Sequence, residues 1–137
     1  MTEGFVNLKL DKVMQAKTYT VFVLKSEDKR FAIYATPDVG HTMQNVIANQ
    51  KTPRPSSHHL MSSLFKALDI KPIQVVIWDV EDTVYKARLF IEQKKGEHNQ
   101  IIEIDARPSD CLSLALLHHV PILCRSEVLD KVVCVED

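Results

Sequence analysis

The chain has 137 residues, a formal net charge of −1, and a composition that is 45% hydrophobic and 26% charged. That length suits one domain, long enough to bury roughly two-thirds of its unfolded surface, and the composition excludes a disordered or fibrous protein. A near-neutral total supplies no sign of the basic face on which nucleic-acid binders rely. The cysteines Cys111, Cys124 and Cys134 are odd in number and lack the short spacing of a zinc site. Reduced thiols in a cytoplasm are therefore expected, not a disulfide framework. Met1-Thr2-Glu3-Gly4 carries no basic stretch ahead of an apolar run, so no secretory signal is expected. No uncharged apolar run is long enough to cross a membrane.

Residues 5–14 alternate, with Val6, Leu8 and Leu10 set against polar partners, which predicts a half-buried strand. Tyr19 to Leu24 is rich in β-branched and aromatic residues and reads as a second strand. A polar turn at Ser26–Lys29 leads to a third, Arg30 to Ala35. Pro37 stops that strand, and Asp38 caps a helix running to about Ala48, with Met43, Val46 and Ile47 as its apolar stripe. Asn49 to Ser56, stiffened by Pro53 and Pro55, is an extended polar connection. Ser56 or Ser57 caps a second helix, whose buried face is expected to be Leu60, Met61, Leu64, Phe65 and Leu68. Past Pro72, Ile73 to Trp78 reads as a strand and Asp79–Asp82 as an acidic turn. Thr83 to Glu92 is a further strand, with Val84, Lys86, Arg88 and Phe90 on one face. Gln93 to Asn99 is a Gly-containing turn, and Gln100 to Asp105 a sixth strand with Ile102 and Ile104 inward. A helix begins at Pro108 or Ser109. It is apolar nearly all round from Cys111 to Leu117 and must be covered on most sides. A short strand at Val120–Cys124, a short helix at Ser126–Asp130 and an edge-pairing segment at Val132–Val135 complete the chain.

The predicted order is β-β-β-α-α followed by β-β-β-α-β-α. Repeated meanders with helices favour a compact α+β domain of mixed and antiparallel strands spanning 1–137. The order also suggests a weak internal duplication, with Pro37 and Pro108 in the same place in each half. No Gly-rich phosphate loop follows the first strand, which excludes the nucleotide-binding reading at motif level.

The most informative segment is the strand-to-helix junction from Ile102 to Asp110. Asp105 and Asp110 stand on either side of a tight turn, where two carboxylates can converge on Mg²⁺ or Mn²⁺. Such an ion could activate a water against a phosphodiester, and Arg107 could grip the phosphate. The structural alternative needs no chemistry: Asp110 favours the helix N-terminus, Ser109 caps it, and Arg107 pairs with Asp105 or Asp110. From the residues alone that braced turn is preferred. Arg54, Ser57, His58 and His59 form a second cluster, in which a histidine can serve as acid or base. Adjacent positions on a helix diverge, so at most one of His58 and His59 faces a given site. His118 and His119 read as a helix end. Asp79, Glu81 and Asp82 offer ligands or a solvated turn. Trp78 is expected in a core or an interface, and Cys111 as core, not nucleophile.

The run Ile102-Glu103-Ile104-Asp105-Ala106-Arg107-Pro108-Ser109-Asp110-Cys111-Leu112-Ser113-Leu114-Ala115-Leu116 resembles the signature of the bifunctional nuclease domain family. Val120-Pro121-Ile122, Glu127-Val128-Leu129, the Arg54-Pro55 step with His58 and Leu60, Val76-Ile77-Trp78-Asp79, and Tyr85-Lys86-Ala87-Arg88-Leu89 resemble it too, in order, over about residues 19–130. The resemblance implies a compact α/β domain that self-associates as a homodimer or higher homo-oligomer. It implies a nuclease acting on DNA and RNA with Mg²⁺ or Mn²⁺. By position it implies a polar site of Arg54, His58, Asp79, Asp105, Arg107 and Asp110. Within it, Asp79, Asp105 and Asp110 are the metal ligands, while Arg54, His58 and Arg107 are catalytic. Two departures stand out: Val39 and His41 occupy acidic positions of the family pattern, and His59 stands where an aspartate is common. The alternative function is a non-catalytic homo-oligomeric scaffold or protein-binding domain that keeps the family fold.

Overall fold

The computed structural model describes residues 4–47 and 57–135. The elements run β1 (Phe5–Gln15), β2 (Thr20–Lys25), β3 (Arg30–Ala35), α1 (Pro37–Ile47), α2 (Ser57–Ala67), β4 (Ile70–Glu81), β5 (Val84–Lys95), β6 (His98–Ala106), α3 (Pro108–His118), β7 (Ile122–Arg125) and α4 (Ser126–Leu129). One seven-stranded sheet has the order β3-β2-β1-β7-β4-β5-β6. Strand β7 lies between two meanders, antiparallel to β1 and parallel to β4. The mixed α+β fold expected from the sequence is the fold observed, and each meander is followed by a helix with proline in first place.

Register explains the burial. Between Leu10 and Lys12 the pairing of β1 with β2 shifts. The bulge breaks the period of two, so that Leu8 and Val13 are both buried although five residues apart. Strand β2 lies between β1 and β3 and is buried from Thr20 to Leu24. Val135 donates its amide to the Arg30 carbonyl, and Cys134 bridges Phe31 at the β3 edge, so the last segment pairs where the sequence placed it.

Helix α3 joins two cores. Leu112 packs with Phe22, Leu24, Phe31, Met43, Ile77, Cys124 and Val128. Cys111, Leu114 and Ala115 pack with Val75, Ala87, Leu89 and Ile91. That double duty accounts for a helix apolar nearly all round. Leu112 and Leu114 each stabilise the fold by ~1.5–3 kcal/mol on burial.

Several local expectations change. Strand β4 runs through Pro72 and on to Glu81, so Asp79, Val80 and Glu81 are strand and not turn. Pro72 is tolerated because the register slips between Pro72 and Gln74. The turn is Asp82-Thr83, both with positive φ of 49° and 68°, the conformation that a two-residue hairpin requires. Gln93–Lys95 and His98–Asn99 extend β5 and β6, and Gly96 takes φ 61° at the turn between them. Helix α1 begins at Pro37, with Asp38 in its first turn. At α3 the N-cap is Arg107, followed by Pro108, and Ser109 does not cap. Ile104 is exposed, while Ile102 is half-buried. On α2 only Met61 and Phe65 of the expected face pack against the core; Leu60, Leu64 and Leu68 are exposed. Among the described residues no helix is long and apolar enough to cross a membrane.

Candidate functional site

Three parts of the fold meet at an open cleft of about 1000 Å³. One wall is the end of β3 with Tyr34 at its rim. The opposite wall is the β4–β5 hairpin with Trp78, Tyr85, Lys86 and Arg88. The third is the β6–α3 junction from Asp105 to Ser109. Stacking of Phe31 on Tyr85, 5.7 Å between centroids, fixes the two meanders to each other beside the cleft. Burial pushes the Tyr85 phenol up to about 12, with Cys124 adding, so it stays protonated at neutral pH.

The polar groups of the cleft are ordered by their neighbours. Arg88 lies 4.3 Å from the centroid of the Trp78 ring and pairs with Glu103. Lys86 lies 5.6 Å from the same ring and 3.7 Å from Glu81. Cation–π contact of this kind fixes a long side chain without using its N–H donors. Strand pairing sets Arg88 directly opposite Asp105. The guanidinium nonetheless turns to Glu103, the diagonal neighbour. Asp105 consequently has no hydrogen-bond or ion-pair partner among the described residues; it is exposed and lines the cleft together with Arg88 and Arg107.

The second arginine is Arg107. Its Nε and Nη2 donate to Asp110 at 2.8 and 3.0 Å, a bidentate pair. Pairing with Asp110 raises the Arg107 pKa further above its already high value, and Asp38 in the first turn of α1 adds to this. The Asp38 carboxyl is held below its usual value first by the Thr36 hydroxyl and its own amide, with Arg107 contributing. Behind Asp110 stands His58 of α2, with Nε2 4.0 Å from Asp110 Oδ1, too far for a hydrogen bond. That nitrogen is buried and has no hydrogen-bond partner among the described residues. Burial lowers the His58 pKa, while Asp110 opposes the shift. His118 accounts for the placement of α2: its Nε2 is 2.8 Å from Ser62 Oγ and its ring is 5.9 Å from Phe65.

The sequence-predicted site is thus partly assembled. Arg107, Asp110 and His58 are brought together, and Asp105 and Arg107 line the cleft. Asp79 does not line it; its carboxylate accepts from the Val80 amide at 2.9 Å and lies 3.6 Å from Lys131 Nζ. Arg54 lies outside the described residues. Among those described, no three His, Cys, Asp or Glu side chains form a group able to hold a metal ion. Asp79, Asp105 and Asp110 therefore do not make a preformed Mg²⁺ or Mn²⁺ cage: Asp110 already serves Arg107, and Asp79 is directed elsewhere. Cys111 is buried and its thiol pushed up to about 12, in keeping with a core residue. Sequence reasoning missed Tyr34, and it noted Trp78, Lys86 and Arg88 without joining them. The usable signal was the alternation of Lys86 and Arg88 on one face of a strand paired with the strand that carries Trp78.

No curated protein matches the chain. The family model of the bifunctional nuclease domain matches residues 22–137, and so takes in every cleft residue named above. With a match over most of its length, the chain belongs to the bifunctional nuclease domain family.

Proposed function

We propose that the cleft binds nucleic acid and hydrolyses its phosphodiester bonds. The observation that carries this reading is Asp105, a carboxylate without a partner among the described residues, opposite Arg88 on the sheet and lining the same open cleft as Arg88 and Arg107. Phosphoryl transfer asks a protein chiefly for positioning and for charge stabilisation at the phosphate oxygens. Arg107 spends two of its five N–H donors on Asp110, which leaves a rigid fork for a phosphate. Asp105 orients a water and takes its proton as the new P–O bond forms. The leaving oxygen is protonated from solvent. In this arrangement Asp110 and His58 are positioning residues. Asp110 holds the guanidinium, and His58 packs behind Asp110. A divalent ion in the cleft would be held by Asp105 together with phosphate oxygens, the manner in which Mg²⁺ commonly sits. It would supply Lewis-acid stabilisation of the same charge.

Cleavage assays on single- and double-stranded DNA and RNA test the proposal, run with Mg²⁺, with Mn²⁺ and with chelator. Wild-type protein cleaves, and Asp105→Asn loses ~10²-fold or more of the rate. Activity that survives unchanged in purified Asp105→Asn removes this site assignment.

A second reading, a homo-oligomeric or protein-binding scaffold, has one specific support. Helix α2 buries no residue, and Leu60, Leu64 and Leu68 form an exposed stripe at i, i+4, i+8. Sedimentation of the intact chain beside Leu64→Asp tests whether that stripe joins copies.

A further inference from the structure

The cleft carries information about the form of its ligand as well as its class. We propose that it is a groove for a single-stranded segment of nucleic acid, with Tyr34 as a base-stacking surface on one rim and Arg88 and Arg107 as phosphate grips on the other. The inference rests on the hydrolytic reading above and names the substrate form for the same cleft.

Tyr34 lies on β3, an edge strand, and is 65% exposed at the rim. A tyrosine that exposed keeps most of its ring open to a ligand. The Tyr19 ring meets it edge to face, with centroids 5.5 Å apart and planes at 69°, which steadies the ring without covering it. Bases reach an aromatic face only when they are out of a duplex stack. The cations sit across from it, on β5 and at the start of α3. Each is paired with an acid: Arg88 with Glu103, Arg107 with Asp110, Lys86 with Glu81. A duplex presents its phosphates along a broad outer surface and is met by a broad basic face. Here the lining holds Lys86, Arg88 and Arg107 against the single carboxylate Asp105, while the whole chain is −1. With each cation paired to an acid and a whole-chain charge of −1, the cleft offers separate donors and not a broad basic face, and a flexible single strand can lay its phosphates on them one by one.

Trp78 provides the reporter, because it is the only tryptophan in the chain and it lies in the cleft. Asp105→Asn protein in chelator is titrated with an oligothymidylate, an oligouridylate and a hairpin duplex of equal length. Trp78 fluorescence and the anisotropy of labelled oligonucleotide are followed together. Single strands are expected to bind at least ten-fold tighter than the duplex and to change the Trp78 signal. Tyr34→Ala should weaken single-strand binding by about 5- to 100-fold, and Tyr34→Phe, which keeps the ring, should restore it. Equal affinity for duplex and single strand, or unchanged single-strand binding in a folded Tyr34→Ala protein, would overturn the groove. Binding is read without turnover, so a protein that binds as described but fails to cleave would sink the hydrolytic reading alone.

Discussion

At the residue scale, His58 links the site to the stability of the fold. In the unfolded chain its imidazole takes up a proton near 6.5; in the fold, burial holds the pKa below that value, with Asp110 only partly opposing. His118 is shifted in the same direction by burial, with His119 contributing. As pH falls through 6.5 the unfolded chain therefore binds more protons than the native one, and stability falls with it until the folded value is passed. Urea midpoints should decrease between pH 7.5 and 5.5, and the decrease should be shallower in His58→Asn. A variant with the wild-type slope would show that His58 titrates as freely in the fold as outside it. The sequence indicated that at most one of His58 and His59 would face the site, and that Arg107 could pair with Asp105 or Asp110. It did not indicate that Asp105 would be left alone. That follows from Arg88 pairing with Glu103 and not with its directly opposite neighbour, while its guanidinium lies over the Trp78 ring.

At the element scale, the first helix is seated by one buried hydroxyl. Thr20 is fully buried; its Oγ1 donates to the Thr36 carbonyl at 2.8 Å and accepts from the Gly40 amide at 2.9 Å. The contact brings Gly40 so near that an added Cβ would stand 2.5 Å from Thr20 Oγ1 and 3.0 Å from Gln15 Cβ. Gly40→Ala should therefore destabilise by about 1–3 kcal/mol, in spite of alanine's better helix propensity. A denaturation midpoint unchanged or raised in that variant would mean that α1 can shift away from β2 without loss. Element existence and order were legible because alternation and helical periodicity are local. Faces were less so. On α2, two adjoining stripes, Leu60-Leu64-Leu68 and Met61-Phe65, are equally apolar in sequence, and only the position of the sheet decides that the second packs. The end of β4 was hidden for a similar reason. Asp79, Glu81 and Asp82 have turn composition, but the chain turns only at Asp82-Thr83, where positive φ is held by the β4–β5 ladder.

At the scale of the whole molecule, the cleft is a product of topology. Tyr34 comes from the first meander, Trp78, Lys86 and Arg88 from the second, and Arg107 from the helix that follows it. No local window of sequence contains that set, and a net charge of −1 gives no sign of it. The consequence is measurable in the salt dependence of binding. If only Lys86, Arg88 and Arg107 neutralise phosphates, log K for a single strand should fall against log salt with a slope of about −2, from ~0.7 per phosphate contact. Raising salt from 50 to 200 mM should then weaken binding by about 20-fold, far less than the losses of 10³-fold and more that extended basic faces show. Arg88→Ala should reduce the slope by about one contact's share, because Arg88 is held by Trp78 and Glu103 where it can reach a backbone. A flat salt response would place the contacts elsewhere on apolar surface, and a slope beyond about −4 would require cations outside the cleft. Either outcome would separate the family's activity from these three side chains, whereas the intermediate slope ties a nearly neutral protein to a polyanion through a site small enough to be overlooked in its composition.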